Sequence, residues 1–158
     1  RRPGTENVLE IVGLGAACRI ALRDLDKNRG RMRQTRDRLY RKISAACEVR
    51  LNGHPETRLP NTLNLSFRGV ASNDLIDAIA QTVAVSAGSA CHADSVTLSP
   101  VIQAIGTPLD WGRGTIRFST GKFTTDEEID RAAKAIVGAY QALAANAQRA
   151  MGGRGAAK

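Results

Sequence analysis

Apolar residues recur at helical intervals through the first quarter of the chain. Val8, Ile11, Val12, Leu14, Ile20, Leu22 and Leu25 follow a three-and-four spacing, which puts side chains on neighbouring turns of a helix. The pattern resumes with Met32, Thr35, Leu39 and Ile43. It predicts one long helix over residues 6–46, with Asn28-Arg29-Gly30 as the place for a break or kink. Thr5 is the expected N-cap, with Glu6 in the first turn. Gly13 and Gly15 weaken such a helix by about 1 kcal/mol each relative to Ala. Small residues there also leave room for another element to come close.

Period-two alternation takes over further along. Glu48 to Leu51 is a short strand candidate, ended by the turn signal Asn52-Gly53-His54-Pro55. Leu63, Leu65 and Phe67 alternate with Asn64 and Ser66, as on a half-buried strand. Ser72 or Asn73 is expected to cap a helix to about Ala80, with Leu75, Ile76 and Ile79 facing inward. Val83-Ala84-Val85 reads as the next strand. Ser99-Pro100 opens a short helix to about Ile105, ended by Gly106-Thr107-Pro108. Thr115 to Ser119 is the last strand. Thr125 caps a final helix to about Gln148, with Asp126, Glu127 and Glu128 in its first turn. This order predicts an α+β fold: a small, mainly antiparallel sheet of about four strands, covered by helices on one side. Residues 1–148 form one small domain in this reading, and 149–158 a flexible tail.

At 158 residues the chain is long enough for one domain with a real core. Only six aromatics are present, so Leu, Ile, Val and Ala must carry the packing. No apolar run of about 18 residues suggests a membrane span. Arg1-Arg2-Pro3-Gly4-Thr5 is followed by no signal-peptide core. It has no initiator Met and is loop-like, which points to a longer design. Cys18, Cys47 and Cys91 are an odd number without staple-like spacing, so a reducing, cytoplasmic setting is expected. Residues 19–50 hold eleven Arg or Lys against four Asp or Glu, +7 of the net +8. The arginines are not interleaved with aromatics. A solvated basic helix face is the favoured reading, then docking of an acidic partner, with nucleic acid third.

Candidate chemistry concentrates at two places. Val85-Ser86-Ala87-Gly88-Ser89-Ala90-Cys91-His92 sets a cysteine among very small residues just after an apolar segment. A thiol there is poorly packed and able to move, which suits a nucleophile once a base or a lowered pKa supplies the thiolate. His92 is a candidate assistant, although adjacent residues in an extended loop point apart. The alternative is a small apolar filler. Arg117 lies between Ile116 and Phe118, a cation inside an apolar strand. Its fork can grip a carboxylate when partly desolvated; the alternative is an edge-strand arginine reaching water. Cys18 and Cys47 sit among alanines in helical sequence and read as structural. Cys91, His92 and Asp94 lack the separated spacing of a metal site, and His54 is in a distant turn.

Four motifs together resemble the C-terminal part of the cysteine desulfurases, within the class V aminotransferase-like group of pyridoxal phosphate enzymes. They are Arg2-Pro3-Gly4-Thr5-Glu6-Asn7, Leu59-Pro60-Asn61-Thr62-Leu63-Asn64, Ser86-Ala87-Gly88-Ser89-Ala90-Cys91, and Ile116-Arg117-Phe118-Ser119 with Gly121-Lys122-Phe123-Thr124-Thr125. The resemblance implies the small domain of a fold-type I enzyme. It implies that Cys91 takes sulfur from L-cysteine as a persulfide, that Arg117 binds the substrate carboxylate, and that Thr5 reaches the cofactor phosphate of a neighbouring subunit. It further implies a homo-oligomer and a protein that accepts the sulfur, for which an acidic partner is the candidate. None of Lys27, Lys42, Lys122, Lys134 and Lys158 follows the family's Ser/His-rich lysine segment. The large domain that holds pyridoxal phosphate is therefore expected to be absent, and this chain alone to bind no cofactor and be catalytically incomplete. Two other readings stay open: an orphan module that carries persulfide or docks proteins, and an inactive fragment that self-associates through an exposed interface.

Overall fold

The structure is a computed structural model that describes residues 3–87 and 98–152. Its first element, α1, runs from Val8 to Ser44 without interruption, so the expected break at 28–30 does not occur. A glycine in an exposed helix interior costs only about 1 kcal/mol, too little to break so long a helix at Gly30. The N-cap is Asn7 rather than Thr5; its side chain accepts from the Glu10 amide at 3.3 Å.

Four strands follow: β1 (Val49–Leu51), β2 (Thr62–Phe67), β3 (Ser86–Ala87) and β4 (Thr115–Ser119). They form one antiparallel sheet in the order β1-β2-β4-β3. The third strand begins one residue beyond the expected Val83-Ala84-Val85. The amides of Thr82 and Val83 still bond to the Ile79 carbonyl, at 2.8 and 2.9 Å, so the chain is leaving the preceding helix there. That helix, α2 (Ser72–Ile79), has Ala71 as N-cap and no side-chain cap. The Arg113 carbonyl takes the Ser72 amide instead, at 2.9 Å. After α3 (Pro100–Ala104) comes a single unforeseen turn, α4 (Leu109–Gly112), entered through Pro108. The last helix, α5, extends from Asp126 to Gly152, past the expected end at Gln148. Thr125 and Glu128 cap its start reciprocally, at 2.8 and 3.2 Å.

Leu63, Leu65 and Phe67 of β2, with Ile116 and Phe118 of β4, face the long helices. Against them pack Leu39 and Ile43 of α1, Leu75 and Ile79 of α2, and Ile129, Ala133, Ile136 and Tyr140 of α5. Phe67 sits between Phe118 and Tyr140, with ring centroids 6.3 and 5.7 Å away. The backbones of Gly114 and Phe67 meet so closely that a Cβ on Gly114 would lie 2.1 Å from the Phe67 carbonyl oxygen.

Part of the basic block of α1 is engaged within the fold. Arg31 reaches Asp126 at 2.9 Å, Arg38 reaches Asp130 at 2.7 Å, and Lys42 reaches Asp130 at 3.2 Å. The Arg38 hydrogen bonds, helped by Lys42, hold the Asp130 carboxyl down at about 2. What sequence patterning showed as one charged face is, over this stretch, an ion-pair seam between α1 and α5. Among the described residues no helix is long and apolar enough to cross a membrane.

Among the described residues, α1 packs on this domain from about Arg31 onward. Val8, Leu9, Ile11, Val12, Leu14, Ile20, Leu22 and Leu25 are all exposed, from 48% to 84%.

Candidate functional site

The register of β4 decides which side chains share a face. Leu63 lies opposite Phe118 and Leu65 opposite Ile116, on the helix side. Asn64 opposite Arg117 and Ser66 opposite Thr115 therefore point to the other side, since successive strand residues alternate. Ser86 of β3 is the partner of Arg117 on its other flank. Three strands thus place Ser86, Arg117 and Asn64 in one row across the sheet.

Arg117 is exposed, and its Nη2 donates to the Ser86 hydroxyl at 3.4 Å. It is neither the semi-buried cation nor the edge-strand residue that patterning suggested. The strand is interior, flanked by β2 and β3, while the side chain is open to solvent. Its neighbour Asn64 is fixed by a polar network that patterning missed. Asn52 Nδ2 donates to Asn64 Oδ1 and to Ser66 Oγ, both at 2.8 Å. Ser66 and Thr115 hydroxyls are 2.8 Å apart, and Thr107 donates to Asn52 Oδ1 at 3.3 Å. Alternation alone reads Ser66 as outward and wet. It is instead fully buried, bonded to Asn52 and Thr115.

The other expected site residues fall elsewhere. Cys91 and His92 lie outside the described residues; Cys91 is five positions beyond Ser86 in the chain. Thr5 is exposed in the loop before α1. It stands beyond a projecting stretch, from residue 8 to residue 25, that is about 25 Å long at 1.5 Å per residue. Cys47 is buried as expected of a structural cysteine, and burial pushes its thiol up to about 11. Cys18 is exposed on α1, contrary to the structural role expected of it. His54 serves its turn, Nδ1 accepting from the Glu56 and Thr57 amides at 3.1 and 2.8 Å. No group of three metal-binding side chains occurs among the described residues.

Arg58 went unnoticed in the pattern. Its Nε and Nη1 are buried and find no hydrogen-bond partner, while Nη2 is 3.8 Å from Asp37. Asp37 already binds Arg36 at 2.8 Å. Burial, and then the Arg36 charge, push the Arg58 guanidinium down from its ordinary value. Its place just before Leu59-Pro60-Asn61 is the only signal in the sequence. An open cleft of about 420 Å³ lies beside β3, between Val83, Val85, Phe118 and Ile129, with Thr124 and Glu128 at its polar side.

Residues 1–132 match the family described as Aminotransferase class-V. The chain is 45% identical over 129 residues to a cysteine desulfurase IscS of Klebsiella pneumoniae, covering 82% of this chain and 32% of that protein. It is 41% identical over 142 residues to a cysteine desulfurase IscS of Pseudomonas aeruginosa, covering 90% and 35%. Among solved structures it resembles a NifS-like protein, with a TM-score of 0.72 and 29% identity over 87% of this chain and 34% of that one. The fold also matches a NifS-like protein from Rickettsia africae, with a TM-score of 0.73 and 23% identity over 89% and 36%. The chain spans about a third of the length of the curated relatives it matches. With the match running through most of its length, the chain belongs to the aminotransferase class-V family.

Proposed function

We propose that this chain is the sulfur-accepting and substrate-clamping part of a cysteine desulfurase. The observation that carries the reading is the pairing of Ser86 with Arg117. The strand that leads towards Cys91 starts beside an exposed guanidinium. Five residues of chain span at most about 18 Å, so a thiol tethered at Ser86 works within reach of whatever Arg117 holds. A guanidinium fork suits the carboxylate of L-cysteine. The small residues Gly88, Ser89 and Ala90 suit a nucleophile that approaches the substrate sulfur, takes it as a persulfide and delivers it to a second protein.

Pyridoxal phosphate supplies the electron sink in that enzyme class. Two of the lysines are engaged elsewhere: Lys42 is bound to Asp130, and Lys122 lies 4.8 Å over the Phe123 ring. In this reading the cofactor is held by the two-thirds of the relatives' length that this chain does not span. Thr5 is the residue proposed to reach its phosphate in the assembled enzyme.

The test is a single chain in which this sequence replaces the matched residues of the Klebsiella pneumoniae relative. Alanine and sulfide are measured from L-cysteine. Cys91→Ala is expected to lower turnover at least 100-fold, on the order expected for loss of a covalent nucleophile. Arg117→Ala is expected to raise KM roughly 10- to 100-fold through the lost carboxylate contact. Full activity of Cys91→Ala would sink the reading. Because Cys18 is exposed, any labelling of Cys91 needs a Cys18→Ser background.

A further inference from the structure

We infer that Asn64 is a second ligand for the carboxylate that Arg117 clamps, with its amide turned towards that carboxylate by Asn52. The inference rests on the carboxylate-clamp reading of Arg117 and adds the residue that completes the clamp.

Strand register builds the site. Arg117 pairs with Asn64 across β4 and β2. On the other flank of β2, Leu51 pairs with Leu65, which brings the next residue, Asn52, level with Asn64. The Asn52 backbone amide donates to the Asn64 carbonyl at 3.0 Å. One row therefore crosses the sheet: Asn52, Asn64, Arg117, Ser86. The phase of the ladder sets how close its members come. The Phe67 amide bonds to the Gly114 carbonyl at 3.0 Å, and the Thr120 amide to the Asn61 carbonyl at 2.9 Å. Counting by twos between them makes Leu63 with Phe118 and Leu65 with Ile116 the hydrogen-bonded pairs. Asn64 with Arg117 is then a non-hydrogen-bonded pair, whose Cα atoms stand about 4.5 Å apart and whose side chains are closer. Ser66 with Thr115 is the next pair of that kind, and their hydroxyls are indeed 2.8 Å apart.

Chemistry then selects the ligand. Asn52 Nδ2 donates to Asn64 Oδ1 at 2.8 Å, from the β1 side. Asn52 is itself held, since Nδ2 also donates to Ser66 Oγ and Oδ1 accepts from Thr107. It is only 8% exposed. A satisfied buried network rigidifies what it holds, and at its open end it holds the Asn64 amide. With Oδ1 drawn towards β1, Nδ2 is left on the β4 side, where Arg117 stands. It donates to nothing among the described residues. An amide N–H and a guanidinium are both donors and cannot bind each other. Two such donors, side by side on an open face, call for a shared acceptor. A carboxylate has two acceptor oxygens and can take the fork and the amide together. Asn64→Asp would instead present an acceptor to Arg117 and occupy it.

The fused chain tests this with L-cysteine. Asn64→Ala is expected to raise KM about 3- to 10-fold with kcat held, as for one lost hydrogen bond that binds ground state and transition state alike. Asn64→Asp is expected to raise KM roughly 10- to 100-fold, as Arg117→Ala does, because the new carboxylate fills the fork. A merely structural amide predicts instead that both variants lose kcat in step with their melting temperatures, and that result overturns the inference. A KM loss in Arg117→Ala without one in Asn64→Asp also overturns it and keeps the clamp. Unchanged KM in Arg117→Ala removes the clamp and the inference together. This chain alone gives a readout without turnover, whether or not the fused chain folds. Sodium acetate is titrated against sodium chloride at equal ionic strength, while nuclear magnetic resonance follows the N–H signals of Arg117 Nε and Asn64 Nδ2. Both signals are expected to shift on one saturation curve with acetate, and to move far less with chloride. In Asn64→Asp the Arg117 signal should no longer respond. An Arg117 shift without an Asn64 shift, or no shift in either, overturns the inference.

Discussion

The two ends of α1 carry the same kind of pattern and live in different surroundings. Near its end, Thr35, Arg36, Leu39 and Ile43 are 0 to 4% exposed, packed on β2 and α5. Near its start, Val8, Leu9 and Leu14 are 64, 84 and 67% exposed. Hydrophobic periodicity therefore reports that a face is meant to be covered. It does not report which part of the polypeptide covers it. The contrast breaks first under truncation of side chains. Leu39→Ala is expected to cost about 2–5 kcal/mol, from lost transfer energy plus a cavity. Leu22→Ala in this chain alone should stay within about 0.5 kcal/mol, as for an uninvolved surface position. Urea unfolding of both variants measures this, and comparable losses would mean that the two ends share one core.

Glycines sharpen the same comparison with opposite signs. At Gly114 an added Cβ would collide with the carbonyls of Phe67 and Val70, at 2.1 and 2.7 Å, both parts of the backbone. Gly114→Ala should therefore cost about 1–3 kcal/mol or more, since β2 and β4 must separate to admit it. Gly13→Ala meets no neighbour. It should stabilise this chain by about 0.5–1 kcal/mol through helix propensity. Thermal melts of the two variants should move in opposite directions. A loss at Gly13 would show that something in this chain already packs there.

The packed region was largely legible because each of its elements carries its own local rule. Leu63, Leu65 and Phe67 alternate, Thr125 and Glu128 form a reciprocal cap, and three of the four strands lie where patterning put them, while β3 lies just past the expected Val83-Ala84-Val85. Misreadings came where tertiary partners replaced local ones. Ala71 starts α2 because the Arg113 carbonyl is at hand, so no capping side chain is needed. Ser66 is buried among polar partners, Asn52 and Thr115, that lie 14 and 49 residues away in the chain. Arg31, Arg38 and Lys42 of the basic block of α1 pair with acids of α5, which no local spacing announces. At the candidate site, strand alternation correctly separated Arg117 from Ile116 and Phe118. Its exposure, its interior strand and its neighbour Ser86 depend on strand order, which periodicity does not encode. Cys18 was misread for the same reason as the apolar stripe around it: its helix looks internal, and within this chain it is not.

The smallest expected effect separates the two regions by charge. Asp130 on α5 is held by Arg38, 92 residues away in the chain, and by Lys42, so its carboxyl sits at about 2 only when the domain is packed. In the unfolded chain it returns to about 4. A depressed folded value means that the stabilisation is complete above about pH 4 and is lost as pH falls from there towards 2. Asp130→Asn should therefore lower stability at neutral pH and flatten the acid limb of the unfolding curve between pH 4 and 2. The group is solvent-exposed, so the change is modest and shrinks with added salt. Asp24, in the projecting half, is also lowered, chiefly by its hydrogen bond to Arg23. That partner is adjacent in the chain and needs no tertiary packing to stay near, while Lys122, distant in the chain, adds only a lesser share. Asp24→Asn should therefore flatten the acid limb less than Asp130→Asn does. If both variants flattened it equally, the projecting half would be coupled to the domain after all, and the division of α1 into a packed and an unpartnered end would fail for this chain.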